Sequence, residues 1–117
     1  MALRIDDGMK MYGDSSSDNV RYADAIMKVF DEFNAKNPGF AAHATMFCIG
    51  GSGLGNKIYS DSQYQEVVTH AINSGFEIGN HSYLHQSSSE FKKLNAYELN
   101  DEYIKTQALI KKYSSKD

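Results

Sequence analysis

Apolar residues along this chain occur in two arrangements, helical spacing and short unbroken runs. Between residues 19 and 37 they recur every three or four positions, which predicts an amphipathic helix that Pro38 and Gly39 end. Residues 43–49 form an unbroken apolar run, typical of a strand buried on both faces of a parallel sheet. The chain is therefore expected to combine helices with strands. The helical set is Val20, Ala23, Ile26, Met27, Phe30 and Phe33.

The next stretch repeats the alternation of helix and strand. Ser60 can cap a second helix, with Gln63 as its capping-box partner, and Gly75 ends it. Its apolar stripe comprises Tyr64, Val67, Val68, Ala71 and Ile72. Residues 76–79 then form a third strand, shorter than the second, and residues 2–5 form a short β-prone first strand. Three strands and two helices are thus predicted up to this point.

A third helix is predicted after the serine-rich residues 86–89, which favour a loop. Asn95 can cap this helix and Glu98 can complete a capping box. Its predicted apolar face comprises Leu99, Tyr103, Thr106, Ile110 and Tyr113. The order is therefore β-α-β-α-β-α, an α/β fold of three parallel units with right-handed crossovers, in one domain over residues 1–117.

Composition limits the function without naming it. The chain has 117 residues, 41% of them apolar, and a formal net charge of −3, which gives no electrostatic footprint for nucleic acid. No apolar run approaches the length of about 18 residues that a membrane span needs. The start lacks the features of a signal peptide. A single cysteine, Cys48, excludes a disulfide framework and is expected to be a buried, inert thiol.

Candidate chemistry lies where two predicted strands end. Asp6 and Asp7 follow the first strand, and His81 and His85 follow the third, so both pairs are expected at the same rim of a parallel sheet. Asp7, His81 and His85 make a three-ligand set for a divalent metal such as zinc. Asp6 could then act as general base for a water molecule. This arrangement predicts metal-assisted hydrolysis of an amide or ester.

Two neighbouring residues are further candidates for this site, and several of the features also have ordinary structural explanations. Asn80 and Ser82 are candidates for hydrogen bonds that orient the imidazoles. Paired aspartates before a glycine are also typical of an ordinary turn, and a His-x-x-x-His pair also arises by chance. His43 and His70 are expected to be structural or exposed. The glycine-rich residues 50–55 fit neither the dinucleotide fingerprint nor the P-loop and are interpreted as a flexible loop.

Three segments resemble the NodB-homology polysaccharide deacetylases, carbohydrate esterase family four. Ile5-Asp6-Asp7-Gly8 is similar to the family's Thr-Phe-Asp-Asp-Gly motif, with Arg4 and Ile5 in place of threonine and phenylalanine. Residues 44–47, Ala-Thr-Met-Phe, resemble its Ala-Thr-Phe-Phe strand. Residues 76–85 are very close to its His-Glu-Ile-Gly-Asn-His-Ser/Thr-x-x-His motif. The resemblance covers nearly the whole chain in the right order.

The resemblance carries expectations about fold, site and substrate. It implies part of an irregular (β/α)7 barrel, with Asp6 as catalytic base and with Asp7, His81 and His85 as ligands of a divalent metal, usually zinc. It implies removal of acetyl groups from an acetylated polysaccharide such as peptidoglycan, chitin or xylan. Family members act mostly outside the cell or at its envelope.

Departures from the family pattern add a second set of expectations. The family's later arginine, Asp-Trp and Leu-x-His motifs have no counterpart here, and the last of them supplies the general acid. The domain is therefore expected to be incomplete on its C-terminal side, with an open barrel edge that permits self-association or a partner. Acetyl release by this chain alone is expected to be weak or absent. The alternatives are a non-catalytic fragment that binds sugar, metal or a partner, and another metal-dependent hydrolase that acts on small amides.

Overall fold

The computed structural model describes residues 3–6, 22–51 and 61–114. These residues form strands β1 (Arg4–Asp6), β2 (Thr45–Cys48) and β3 (Glu77–Asn80), and helices α1 (Tyr22–Lys36), α2 (Asp61–Asn73), α3 (Ser88–Phe91) and α4 (Ala96–Ser114). The predicted alternation of strand and helix is confirmed, with α3 as an additional element. The predicted start of the first helix, the Ser60 cap and Asp7 fall on residues outside the described ranges.

The described strands form one sheet that is parallel, as predicted, and their order is β1-β2-β3. Asp6 pairs with Phe47, and Phe47 pairs in turn with Gly79, so these three residues share one rung. Because side chains alternate along a strand, this rung and the rung two residues earlier face the same side of the sheet. We call this side, which carries Arg4 and Asp6, the open face.

The core lies on the opposite side of the sheet. Met46 and Cys48 are fully buried there, whereas Thr45 and Phe47 on the open face are only half-buried. The burial of Cys48 is confirmed, but the prediction that β2 is buried on both faces is wrong. The core residues are Ala23, Met27, Ala44, Met46, Cys48, Tyr64, Val67, Val68, Ala71, Phe76, Ile110 and Tyr113. Helices α1, α2 and α4 therefore pack on one face only.

The ends of the helices follow the predicted local signals. Gly39 after α1 and Gly75 after α2 have φ angles of 100° and 85°, a left-handed conformation that glycine adopts at little cost. At the start of α4, the backbone N–H of Asn95 donates to Glu98 (2.8 Å) and the N–H of Glu98 donates to the Asn95 side chain (2.9 Å). The predicted capping box is confirmed.

Two local predictions about the third helical region are wrong in part. Part of the expected serine loop forms α3, because the Ser87 side chain accepts a hydrogen bond from the N–H of Glu90 and caps the turn. The buried face of α4 includes Glu102, while Leu99 and Tyr103 are 44% and 56% exposed. The other predicted members of the stripe, Thr106, Ile110 and Tyr113, are buried, so the prediction fails only in the first part of the helix.

Helices α1 and α2 are also joined by an ion-pair triad. The Nδ1 atom of His70 lies 3.0 Å from Oδ1 of Asp24, and its Nε2 atom lies 3.5 Å from Oδ2 of Asp31. The hydrogen bond with Asp24 raises the pKa of His70 above its ordinary value, with Asp31 acting in the same direction and burial opposing both. The structural role predicted for His70 fits this position between two helices.

No helix in the described ranges combines the length and the apolar character that crossing a membrane requires.

Candidate metal centre

Asp6 and His81 lie at the same end of the sheet, on its open face. Asp6 is the last residue of β1, and His81 directly follows β3, two residues beyond Gly79 on the shared rung. Phe47 lies between them on β2, with its ring centroid 6.3 Å from that of His81. Asp6 and His81 therefore lie at the carboxyl ends of their strands, as predicted.

The two histidines converge through the same ring nitrogen. The Nε2 atoms of His81 and His85 lie 3.2 Å apart, and the ring centroids are separated by 4.9 Å. Two nitrogens bound at about 2.0–2.1 Å to one tetrahedral ion would lie about 3.3 Å apart. The pair therefore fits two ligand positions of a zinc ion.

The loop between the histidines has an unusual backbone. Ser82 and His85 have φ angles of 67° and 52°, in the left-handed region where a residue other than glycine costs about 1–3 kcal/mol. Two short hydrogen bonds close the turn locally. The Ser82 N–H donates to Asn80 Oδ1 (3.0 Å), and the His85 N–H donates to Ser82 Oγ (3.1 Å). The convergence of the rings thus depends on a strained turn that needs support.

Neighbouring elements supply that support through the backbone of the loop. The N–H groups of Gly50 and Gly51 donate to the carbonyl oxygens of Ser82 (3.0 Å) and Tyr83 (2.7 Å). From the other side, Oε2 of Glu102 accepts from the N–H groups of Tyr83 (3.1 Å) and Leu84 (2.9 Å). Residues 81–85, which we call the histidine loop, are therefore held between the end of β2 and α4.

Asn80 and Ser82 shape this loop through hydrogen bonds to its backbone and to α4. Their described hydrogen bonds hold backbone and helix: Asn80 Nδ2 donates to the carbonyl of Tyr103 (2.9 Å) and approaches Oε1 of Gln107 (3.5 Å), and Ser82 bonds the His85 N–H. The pleat explains the position of Asn80, because consecutive residues point to opposite faces and Asn80 is directed towards α4. The two residues shape the turn.

Asp6 has a partner that sequence reasoning missed. The Nε and Nη2 atoms of Arg4 lie 2.9 Å and 2.7 Å from Asp6 Oδ1, and the Arg4 guanidinium lies 4.9 Å from the centroid of the Phe47 ring. The two-residue spacing on one strand was the available signal, because it places both side chains on the same face. Arg4 therefore fixes the carboxylate that was expected to act as the base.

The third predicted ligand, Asp7, lies outside the described residues. Within the described residues no group of three His, Cys, Asp or Glu side chains is placed to hold a metal ion. Of the three predicted metal ligands, the described residues therefore include His81 and His85.

A separate hollow of about 680 Å³ lies at the other end of the sheet. It is lined by the first residues of the strands, including Thr45 and Glu77, and by apolar side chains of α1 and the following loop, including Phe33 and Phe40. Its position at the amino ends of the strands separates it from the histidine loop.

The chain belongs to the polysaccharide deacetylase family, whose sequence model matches residues 1–117. Among curated proteins no match is found.

Several solved structures share the fold of this chain. The chain resembles the Bc1960 peptidoglycan N-acetylglucosamine deacetylase (TM-score 0.62, 23% identity), covering 97% of this chain and 41% of that one. It resembles a family 4 carbohydrate esterase from Streptomyces lividans (0.60, 22%), covering 96% and 44%. It also resembles the peptidoglycan deacetylase PdaC from Bacillus subtilis (0.56, 26%), covering 97% and 43%. The predicted family and the NodB-type α/β fold are confirmed, and this chain spans less than half the length of each structure.

Proposed function

We propose that this chain carries the metal and base groups of a hydrolase that removes acetyl groups from an acetylated polysaccharide. The observation that carries the proposal is the 3.2 Å separation of the His81 and His85 Nε2 atoms in a polysaccharide deacetylase family member. Asp6 supports the proposal, because its carboxylate lies at the end of β1 on the same face of the sheet as the His81 ring.

The proposed metal ligands are the Nε2 atoms of His81 and His85 together with a carboxylate oxygen of Asp7. Two imidazoles and one carboxylate favour zinc and leave room for further ligands. The metal would supply Lewis-acid chemistry, which acidifies water and polarises a carbonyl group. The ligand role of Asp7 rests on its sequence position beside Asp6.

Asp6 is proposed to take a proton during the reaction. Arg4 occupies Oδ1 through two nitrogens, which orients the carboxylate, and Oδ2 would accept the proton of the attacking water. Phe47 helps to hold Arg4 and His81 in place, because its ring contacts both the Arg4 guanidinium and the His81 ring. The open face thus links the proposed base with the proposed metal ligands.

The proposed substrate class is a polymer of N-acetylated or O-acetylated sugars. The family assignment supports it, as does the likeness to the peptidoglycan deacetylase PdaC at 26% identity. An acetylated oligosaccharide such as an N-acetylglucosamine oligomer is therefore the appropriate probe.

Acetate release from N-acetylglucosamine oligomers tests this proposal. We expect weak, zinc-dependent release by the unmodified chain and a loss of about 100-fold or more in His81→Ala and His85→Ala, since each change removes a ligand. His43→Ala is the matched control. His43 contacts the carbonyl of Ala41 (2.7 Å) just before β2 and should leave the rate unchanged.

Two outcomes would contradict the proposal. One is release that persists after every divalent metal has been removed, and the other is release that is equal in the unmodified and His81→Ala chains. Zinc binding without any acetate release would favour the second candidate, a non-catalytic fragment that binds metal, sugar or a partner. Exposed apolar residues on α4, Leu99, Tyr103 and Ile104, are the observation behind that candidate.

A further inference from the structure

We infer that Glu102 is a positioning residue that holds the histidine loop in the conformation in which His81 and His85 can share one metal ion. The inference rests on the proposed function for its metal, but the contacts that carry it are independent of any metal. Glu102 lies on α4 and is not among the site residues predicted from the sequence.

The first observation is the pair of hydrogen bonds to the middle of the histidine loop. A single oxygen, Oε2 of Glu102, accepts from the consecutive N–H groups of Tyr83 and Leu84, at 3.1 and 2.9 Å. Hydrogen bonds to a charged acceptor are about twice as strong as those between neutral groups. The carboxylate therefore fixes the central peptides between the two histidines.

The second observation is the burial of the Glu102 side chain. Only 9% of the residue is exposed, although charged residues are seldom buried without partners. Its bonds to Tyr83 and Leu84 compensate for that burial. If this position served only to pack α4 against the rest of the protein, an apolar side chain would suit it better than a glutamate.

The third observation is the backbone that Glu102 restrains. Ser82 and His85, on either side of the bonded peptides, both have positive φ angles. A turn of this kind relaxes readily unless its surroundings fix it. Relaxation would rotate the His85 ring relative to His81 and separate their Nε2 atoms. The support from Glu102 therefore bears on metal affinity through the shape of the loop.

Zinc affinity, measured by competition with a chromophoric chelator on the 117-residue chain, tests the inference. Glu102→Ala should weaken zinc binding by about 10-fold or more, the effect typical of removing a group that orients metal ligands. Glu102→Gln keeps an acceptor oxygen and should bind within about threefold of the unmodified chain. Equal losses in the two variants would overturn the inference.

Glu98→Ala is the matched control on the same helix. Glu98 closes the capping box with Asn95 and has no described bond to the histidine loop. Its removal should lower the melting temperature through α4 while leaving zinc affinity unchanged. A fall in zinc affinity as large as that of Glu102→Ala would mean that α4 stability alone matters, and would overturn the inference.

Amide hydrogen exchange without zinc separates this inference from the proposed function. Glu102→Ala should speed exchange at the N–H groups of Tyr83 and Leu84 by about tenfold, with Glu102→Gln close to the unmodified chain. Unchanged exchange in Glu102→Ala would overturn the inference. If the unmodified chain bound no zinc, the proposed function would fail, and the exchange of these two amides would still decide the role of Glu102 in the loop.

Discussion

Gly50 illustrates how closely single residues are packed around the histidine loop. A Cβ atom at this position would meet Cδ2 of Tyr83 at 2.8 Å and Cα of Thr106 at 3.2 Å, as well as the Thr106 hydroxyl. The interpretation of residues 50–55 as a flexible loop therefore does not fit its first two members, Gly50 and Gly51, which bond the histidine loop. The close approach of Tyr83 and Thr106 to the backbone explains why a glycine occupies position 50.

Gly50→Ala should accordingly destabilise the protein. We expect a loss of about 1–3 kcal/mol in the free energy of unfolding, because a methyl group would overfill a packed site. Urea denaturation measures it. The same change in a Thr106→Ala background should cost less, since the hydroxyl nearest to the new methyl is then absent. Identical costs in both backgrounds would contradict this account of the contact.

At single residues, the sequence could predict those with a chemical signature and not those with a supporting role. His81 and His85 stand out because their four-residue spacing follows an apolar run. Glu102 does not, because a glutamate on a helix ordinarily faces solvent. Its role depends on how α4 is rotated, and that rotation is set by packing against the loop and core.

Among the elements, α1 and α2 show how a polar contact can join two amphipathic helices. Their apolar stripes were predictable from spacing alone. The triad of His70, Asp24 and Asp31 was not, since it requires knowing which polar faces of two separate helices meet. Capping boxes are the opposite case, because Asn95 and Glu98 are local in sequence and their bonds follow from that spacing.

The His70 triad predicts a pH dependence of stability. Because the pKa of His70 is raised in the folded chain above its ordinary value of 6.5, its stabilisation is complete below that value and is lost as the pH rises through the folded pKa. The residue's side chain is 41% exposed, so solvent screening limits the effect to below about 1 kcal/mol.

Urea unfolding with a chelator present, at about pH 6 and about pH 8, measures this loss. The unmodified chain should lose more stability over that interval than His70→Gln, which has no ionisable group facing Asp24 and Asp31. An identical pH dependence in the two proteins would show that the triad does not contribute.

At the scale of the described molecule, helices α1, α2 and α4 pack on one face of a parallel sheet, and Asp6 and Phe47 lie on the other. The parallel direction of the strands could be predicted from the alternation of elements. The one-sided burial of β2 could not, because Phe47 is as apolar as Met46 yet lies on the open face against Arg4 and His81. Family motifs indicate the end of the sheet at which the proposed site would lie.

The proposed function requires His81 and His85 to bind one and the same metal ion. Nitrogen-15 NMR of the imidazole groups during zinc titration of the metal-free chain tests it most directly. One equivalent of zinc should shift the Nε2 resonances of His81 and His85 together and leave those of His43 and His70 in place. A shift of only one of the pair, or of neither, would contradict the account.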